Sequence, residues 1–324
     1  MTLLNELKKP LTNEFKEFQR VFRLSVKSSV PLLDVIMQYI LKAKGKQIRP
    51  LIVLYSAKLF DEINDSTYRA ATLIELLHTA SLVHDDVVDD SDRRRGIFSI
   101  NALWKNKISV LVGDYLLSRG MLTALQAKDY HTLEIVSEAV KEMSEGELLQ
   151  IEKARKLDID ESIYYEIIRK KTASLLASCF ATGAASTTKD ERDIKKMWKI
   201  GEYAGMAFQI KDDIFDLEKS NIIGKPTGID IKEKKMTLPL IYLLNNSSIF
   251  EKHKIINIVK RHNTNNAKVG WLINEIANSG GISYATDKMI EFKSKALKLL
   301  KELPENESRL ALEKIIDFTI DRKK

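Results

Sequence analysis

Two aspartate runs with one spacing, Asp85-Asp86-x-x-Asp89 and Asp212-Asp213-x-x-Asp216, each close a long apolar stretch of this chain. On an α-helix that spacing puts the first and last carboxylates on one face, a turn apart. Aspartate is a poor helix former, like charges a turn apart repel, and negative charge near a helix C-terminus opposes the macrodipole. A solvated acidic helix end would explain one such run. Two copies, each after an apolar helix, call for a shared purpose. Helices facing each other at these ends would line a cavity with at least four inward carboxylates, and such a cavity needs cations. Oxygen ligands without histidine or cysteine select hard ions, and magnesium keeps waters while bridging carboxylates to phosphate oxygens. Magnesium–diphosphate is the expected occupant.

The remaining sequence reads as one all-α domain over residues 1–324. Glycine (13) and proline (6) are sparse in 324 residues, and Leu, Ile, Lys, Glu and Ala are abundant. Apolar positions recur at three- and four-residue steps over 12–43, where Pro31 opens a second segment, and Pro50 suits the first turn of the next helix. Helices are expected from about Ser66 to Asp90, then near 101–127, 130–153, 161–186 and 190–218. Polar loops are expected around Asp92–Gly96 and from Asn221 to Thr237, and helices resume from Leu238. No stretch alternates long enough to read as a strand, and neither a linker nor a fixed-period repeat interrupts the chain.

The net charge is +7 with a pI near 9.1, which suits nucleic acid, an anionic membrane or a phosphorylated substrate and does not choose among them. The 52 basic and 45 acidic residues are interspersed, without a polybasic arm. A nucleic-acid binder would leave two acidic clusters unexplained and repelling phosphate. Cys179, the single cysteine, excludes an intramolecular disulfide and fits a reducing compartment. The N-terminus lacks a secretory pattern and no apolar run approaches spanning length, so no transmembrane segment and a cytoplasmic location are expected.

Basic residues flank both acidic runs: Lys46 and Arg49 in Gly45-Lys46-x-x-Arg49-Pro50, the run Arg93-Arg94-Arg95-Gly96, Lys170-Lys171-Thr172, and Lys225 and Lys235 in the loop after the second run. Arginine forks and lysine point charges are what phosphate recognition uses. In this order, with His78 and Phe208-Gln209, the motifs resemble the trans-polyprenyl diphosphate synthases from about residue 40 to 245. The resemblance implies an isoprenoid synthase-type helical bundle around a central cavity, isopentenyl and allylic diphosphates as substrates, and about three magnesium ions held with diphosphate. It implies that Asp85, Asp86 and Asp89 hold magnesium on the allylic diphosphate, and that Asp212 and Asp216 hold a further ion. Arg94, Lys171 and Lys235 are implied on that diphosphate. Lys46, Arg49, His78 and Arg95 are implied at the isopentenyl diphosphate, Thr172 and Gln209 beside the reacting carbons, and Lys225 in a closing loop.

Short-chain members carry a bulky aromatic just before the first run, where this chain has Ala80 and Ser81. The absent block, and Asp90 after the run, resemble the long-chain members. Leu76 and Leu77, with Leu73, Met121 and Leu125, are candidates to set the product's end. The expectation is a product about octaprenyl in length, against a short-chain farnesyl or geranylgeranyl alternative. A terpene cyclase would normally carry a mixed second metal motif. A di-iron bundle needs two Glu-x-x-His pairs, and only Glu75-x-x-His78 is present. A non-catalytic regulatory subunit typically loses one acidic run. Members of the family usually form homodimers, for which helices near 101–127 offer an apolar face. A water-insoluble product favours transient membrane contact at release, and Arg322-Lys323-Lys324 reads as a solvated tail.

Overall fold

The computed structural model describes residues 3–42, 45–94, 96–156, 160–217 and 228–320. They are almost entirely helical, and they gather into two compact units. The first comprises Met1–Ser137, Ser178–Trp198 and Leu303–Ile315, and the second comprises Glu138–Ala177, Lys199–Glu302 and Ile316–Lys324.

In the first unit the chain forms α1 (Leu3–Lys8), α2 (Thr12–Ser25), α3 (Pro31–Lys42), α4 (Ile48–Lys58), α5 (Asp65–Val88), strands β1 (Arg93–Arg94) and β2 (Ile97–Phe98), and α6 (Ile100–Gln126). Helix α5 is its axis. It starts at a capping box in which the Asn64 side chain accepts the Ser66 and Thr67 amides at 2.9 and 3.2 Å, while Thr67 returns a bond to the Asn64 amide. Leu73, Ile74, Leu76, Leu77, Ala80 and Val83 bury several of its faces, as in a helix enclosed by others. Gly120 and Gly113 let α6 lie against it. A Cβ on Gly120 would meet Leu73 Cδ1 at 2.8 Å, and one on Gly113 would collide with the His84 ring. Rings of Phe15, Phe18 and Phe22 on α2 pack at tilted angles along the core, 5.6 and 5.9 Å apart in succession.

The segment read as an irregular polar loop contains an antiparallel pairing, Arg93 with Phe98 and Arg94 with Ile97. Gly96 supplies a left-handed φ of +82°, and Ile97-Phe98 provides residues that favour strands. The Ser99 hydroxyl then caps α6 by accepting the Ala102 amide at 2.9 Å.

The chain continues through α7 (Tyr130–Lys156), α8 (Glu161–Ile168), a π-turn (Arg169–Ala173), α9 (Ser174–Ala185), α10 (Glu191–Leu217), α11 (Ile229–Lys232), α12 (Leu238–Asn245), α13 (Ile249–Arg261), α14 (Asn266–Asn278), α15 (Gly281–Leu300) and α16 (Glu307–Ile320). The single helix expected over 161–186 is interrupted by the π-turn, a wide turn common at functional positions. Close packing in the second unit accommodates it: a Cβ on Gly146 would lie 2.6 Å from the Lys171 nitrogen, and one on Gly205 would lie 2.6 Å from Ala173 Cα. Rings of Tyr165, Tyr203 and Phe292 cluster in this unit, and Tyr242 stacks on Tyr284 at 4.7 Å.

Candidate active site

The first carboxylate set belongs to the first unit. Asp85 and Asp89 are exposed at the end of α5, where the Asp89 amide donates to the Asp85 carbonyl at 2.8 Å. Asp86 points elsewhere. It is 3% exposed, and its Oδ1 accepts Arg94 Nε at 2.6 Å. The chain turns back immediately after the run, with the Ser91 amide on the Asp86 carbonyl at 3.0 Å, and this return carries Arg94 onto Asp86. Removing Arg94, itself a third exposed, would strip a buried carboxylate of its cation, a loss at the lower end of the roughly 3–5 kcal/mol of a fully buried pair.

Arg49 and His78 meet in the same unit, with Arg49 Nη1 2.9 Å from His78 Nε2. A guanidinium can only donate, so Nε2 accepts and its lone pair is occupied. Buried and committed in this way, His78 is poorly placed to act as a base. Gln47 enters α4 with φ +53°, which sets the turn between Lys46 and Arg49, and Lys46 itself is exposed. Arg95 lies outside the described residues. Leu73, Leu76, Leu77 and Ala80 are buried, Ser81 is half-buried and donates to the His78 carbonyl at 2.9 Å, and Met121 and Leu125 are exposed. A cavity of about 110 Å³, lined in part by Phe22, Tyr39, Gln47, Thr79, Asp86 and Arg94, opens beside the Asp86–Arg94 pair.

The second set is built differently. Asp212 is exposed. Asp213 is 5% exposed and accepts the Tyr164 hydroxyl at 2.7 Å and Gln209 Nε2 at 2.8 Å. Gln209 Oε1 in turn accepts the Thr172 hydroxyl at 2.8 Å, so the π-turn is wired to the acidic run. Burial, then the charge of Asp230, pushes Asp213 up to about 7 against the pull of its two donors. Asp216 receives the backbone amides of Ile229 and Asp230, both at 3.0 Å, and thereby holds the start of α11. Burial also lifts Asp230, to about 6, with Asp216 adding to the rise and Lys235 opposing it. Lys235 lies 2.6 Å from Glu233 and 3.4 Å from Asp230. Burial works against its charge, but these two acids outweigh it and hold it above the usual lysine range.

The structure thus joins Arg94 to Asp86, Arg49 to His78, and Thr172 through Gln209 to Asp213. It commits Lys171 to an ion pair with Glu147 and a 3.4 Å contact to Gln150. Lys225 lies outside the described residues. Tyr164 and Asp230 escaped the sequence reading. Only Asp230 left a signal there, as an acid set between Ile229 and Ile231 in a lysine-rich loop.

Among the described residues no three His, Cys, Asp or Glu side chains form a ready-made metal group. The donor chemistry nevertheless fits a hard cation. The donors are carboxylate oxygens, and burial lifts Asp213 and Asp230 towards neutrality with a neighbouring acid adding to each rise, so a bound cation would favour their charged forms.

Comparison with known proteins agrees with this chemistry. Residues 30–276 match the polyprenyl synthetase family. The chain is 35% identical over 317 residues to a heptaprenyl diphosphate synthase component 2 of Bacillus subtilis, covering 97% of this chain and 89% of the relative. A crystal structure of a decaprenyl diphosphate synthase from Rhodobacter capsulatus superimposes with a TM-score of 0.93 at 30% identity, over 98% of each chain. A polyprenyl synthase from Caulobacter crescentus, complexed with calcium and isoprenyl diphosphate, does so with a TM-score of 0.89 at 31% identity, over 99% of this chain and 98% of that one. This all-α chain belongs to the polyprenyl synthetase family, the prenyltransferases that make trans-polyprenyl diphosphates.

Proposed function

We propose that the protein elongates an allylic diphosphate, farnesyl diphosphate being the expected primer, with isopentenyl diphosphate, giving a long all-trans polyprenyl diphosphate near octaprenyl length. The observation that carries this reading is the pair of acidic runs, each offering exposed carboxylate at its first position while its second aspartate is buried and held from within. Asp85 and Asp89 serve magnesium on the allylic diphosphate, and Asp212 and Asp216 serve a further ion. Bound magnesium neutralises the charge that develops on the departing diphosphate. Arg94, positioned by Asp86, adds a fixed cation to that neutralisation, as do Lys171 and Lys235 once their acidic partners are displaced. Lys46, Arg49, Arg95 and His78 grip isopentenyl diphosphate, and Lys225 closes over the allylic diphosphate. The allylic C–O bond breaks, the isopentenyl double bond attacks the cation, and a proton is lost. Diphosphate is the acceptor for that proton, since His78 is committed to Arg49.

The length follows from Ala80 and Ser81. A buried alanine leaves the growing chain unblocked where a ring would stop it, and each helical turn of ~5.4 Å below adds roughly one isoprene unit. The relatives named for heptaprenyl and decaprenyl products support a long chain. A second reading is favoured by one observation: the Bacillus relative is named as component 2 of its synthase, so a companion chain would complete the enzyme. Against that we set a homodimer through α6, whose Leu103, Leu111, Met121, Leu122 and Leu125 are exposed. Helix α6 also has the length and apolarity of a membrane span. Its Val112, Leu116 and Ala124 are buried, and Lys105, Lys107, Asp114 and Arg119 lie along it, which suits a subunit face.

The test is to incubate the purified chain alone with isopentenyl diphosphate, farnesyl diphosphate and magnesium, and to weigh the dephosphorylated alcohols. A ladder ending near forty carbons (about eight units by the tunnel geometry) and shortened by Ala80→Phe is expected. A stop at fifteen or twenty carbons refutes the length, and no elongation without a companion chain favours the second reading.

A further inference from the structure

The second unit carries a surface that prenyl transfer does not use. At the start of α13, Ile249 is 71% and Phe250 88% exposed, the highest values among the exposed large hydrophobic residues described. Two adjacent bulky apolar side chains in water are unfavourable unless something covers them. Their helix is otherwise well made. Ser248 and Glu251 close a capping box, with Glu251 accepting the Ser248 amide at 2.8 Å, and Ile255, Ile258 and Val259 bury the opposite face.

The outward face changes character along the helix. After Phe250 it presents His253, Lys254, Asn257, Lys260 and Arg261, at helical steps that keep them on the apolar pair's side. Between residues 249 and 278 there are five lysines and arginines against two glutamates, Glu251 and Glu275. Beside this face Lys254 lies 3.7 Å from the Trp271 ring centre, and a surface hollow of about 300 Å³ is lined by Lys254, Asn257, Ile258, Ala267, Lys268 and Trp271. The hollow offers two ammonium groups, an amide and an aromatic wall. These suit a phosphate ester at the polar boundary of a bilayer, while the neighbouring Ile249 and Phe250 suit its acyl region.

We propose that α13 and the start of α14 form a docking surface for an anionic phospholipid bilayer, with Ile249 and Phe250 inserting and Lys254 and Lys268 receiving a lipid phosphate. Charge complementarity selects this occupant over a neutral apolar partner, because the outward face beyond the apolar tip carries Lys254, Lys260 and Arg261 and its flanking acid, Glu251, is taken up in the Ser248 cap. The inference takes its purpose from the proposed function, a product insoluble in water, and its geometry from the surface alone.

The experiment is co-sedimentation of the full chain with vesicles of phosphatidylglycerol or of phosphatidylcholine. The expected result is binding to the anionic vesicles that weakens in 0.5 M salt. Ile249→Ser with Phe250→Ser lowers the partition on the order of tenfold or more. Lys254→Glu with Lys268→Glu does so by about fivefold for each charge removed. Circular dichroism melting checks that both variants fold. Wild-type protein that stays in the supernatant overturns the proposal, as does equal binding by all three proteins. Variants that instead change the size of the soluble particle by light scattering also overturn it, since the patch is then a protein interface. Elongation assayed in detergent separates the two readings: vesicle binding without elongation refutes the proposed function and leaves the surface standing.

Discussion

The two acidic runs share a spacing but not a structure, and the contrast separates what the motif demands from what each surrounding decides. In both, the first aspartate is exposed and the second buried. Asp86 is held by a cation, Arg94 at 2.6 Å, brought back by the turn that follows α5. Asp213 is held by neutral donors, Tyr164 and Gln209, with further acids nearby. The buried aspartate is therefore paired with a cation in the first run and held by neutral donors in the second. In the first, the second aspartate fixes Arg94. In the second, it accepts Gln209, which links it to Thr172, and burial raises it towards neutrality.

The largest expected effect treats the runs alike. Asp85→Ala and Asp212→Ala should each lower kcat on the order of 10³-fold in steady-state elongation assays. A loss confined to one of them would show that only one run serves the diphosphate. Next, Arg94→Ala should destabilise the fold by about 3 kcal/mol in urea unfolding at pH 7, because it abandons a buried Asp86. An unchanged midpoint would mean the pair is not held in solution.

The third prediction turns on sign. A carboxyl whose folded pKa is raised from 3.8 to about 7 favours the folded state only while protonated. That contribution is complete below about pH 4 and disappears as pH rises through about 7. In metal-free protein, Asp213→Asn should therefore gain on wild type across this interval, reaching a few kcal/mol at pH 8. Parallel melting curves from pH 4 to 8 would contradict the raised Asp213 carboxyl. The smallest effect belongs to Tyr164→Phe, which removes one donor from Asp213 and should cost about 1 kcal/mol of stability. It should also weaken magnesium binding less than Asp212→Ala does in a calorimetric titration.

The sequence conveyed the helices well because their apolar period is set locally. Pro31 opens α3 where a second segment was expected, and α5 begins at Asp65, one residue from the expected Ser66. The π-turn at Arg169–Ala173 was illegible, since it depends on Gly146 and Gly205 approaching from distant positions in the chain. The β1–β2 pairing was hidden for a similar reason: two-residue strands carry no period to read. At the candidate site, the motif singled out the aspartates but not their burial. Nothing in Asp-Asp-x-x-Asp says which carboxylate turns inward, because that depends on Arg94 folding back in one case and on Tyr164 approaching in the other. The ion pair of Lys171 with Glu147 likewise joins α7 to the π-turn, across a separation that no local pattern spans.

The most direct test of the central claim is calorimetric titration of magnesium with a non-ionisable thiodiphosphate analogue of farnesyl diphosphate, in wild type, Asp85→Ala and Asp212→Ala. If both runs serve magnesium–diphosphate, wild type binds the analogue only when magnesium is present, and each substitution lowers both the affinity and the number of ions taken up. If either variant binds the analogue with wild-type affinity and ion uptake, that run is not a magnesium–diphosphate ligand set, and the account of a shared purpose for the two runs is wrong.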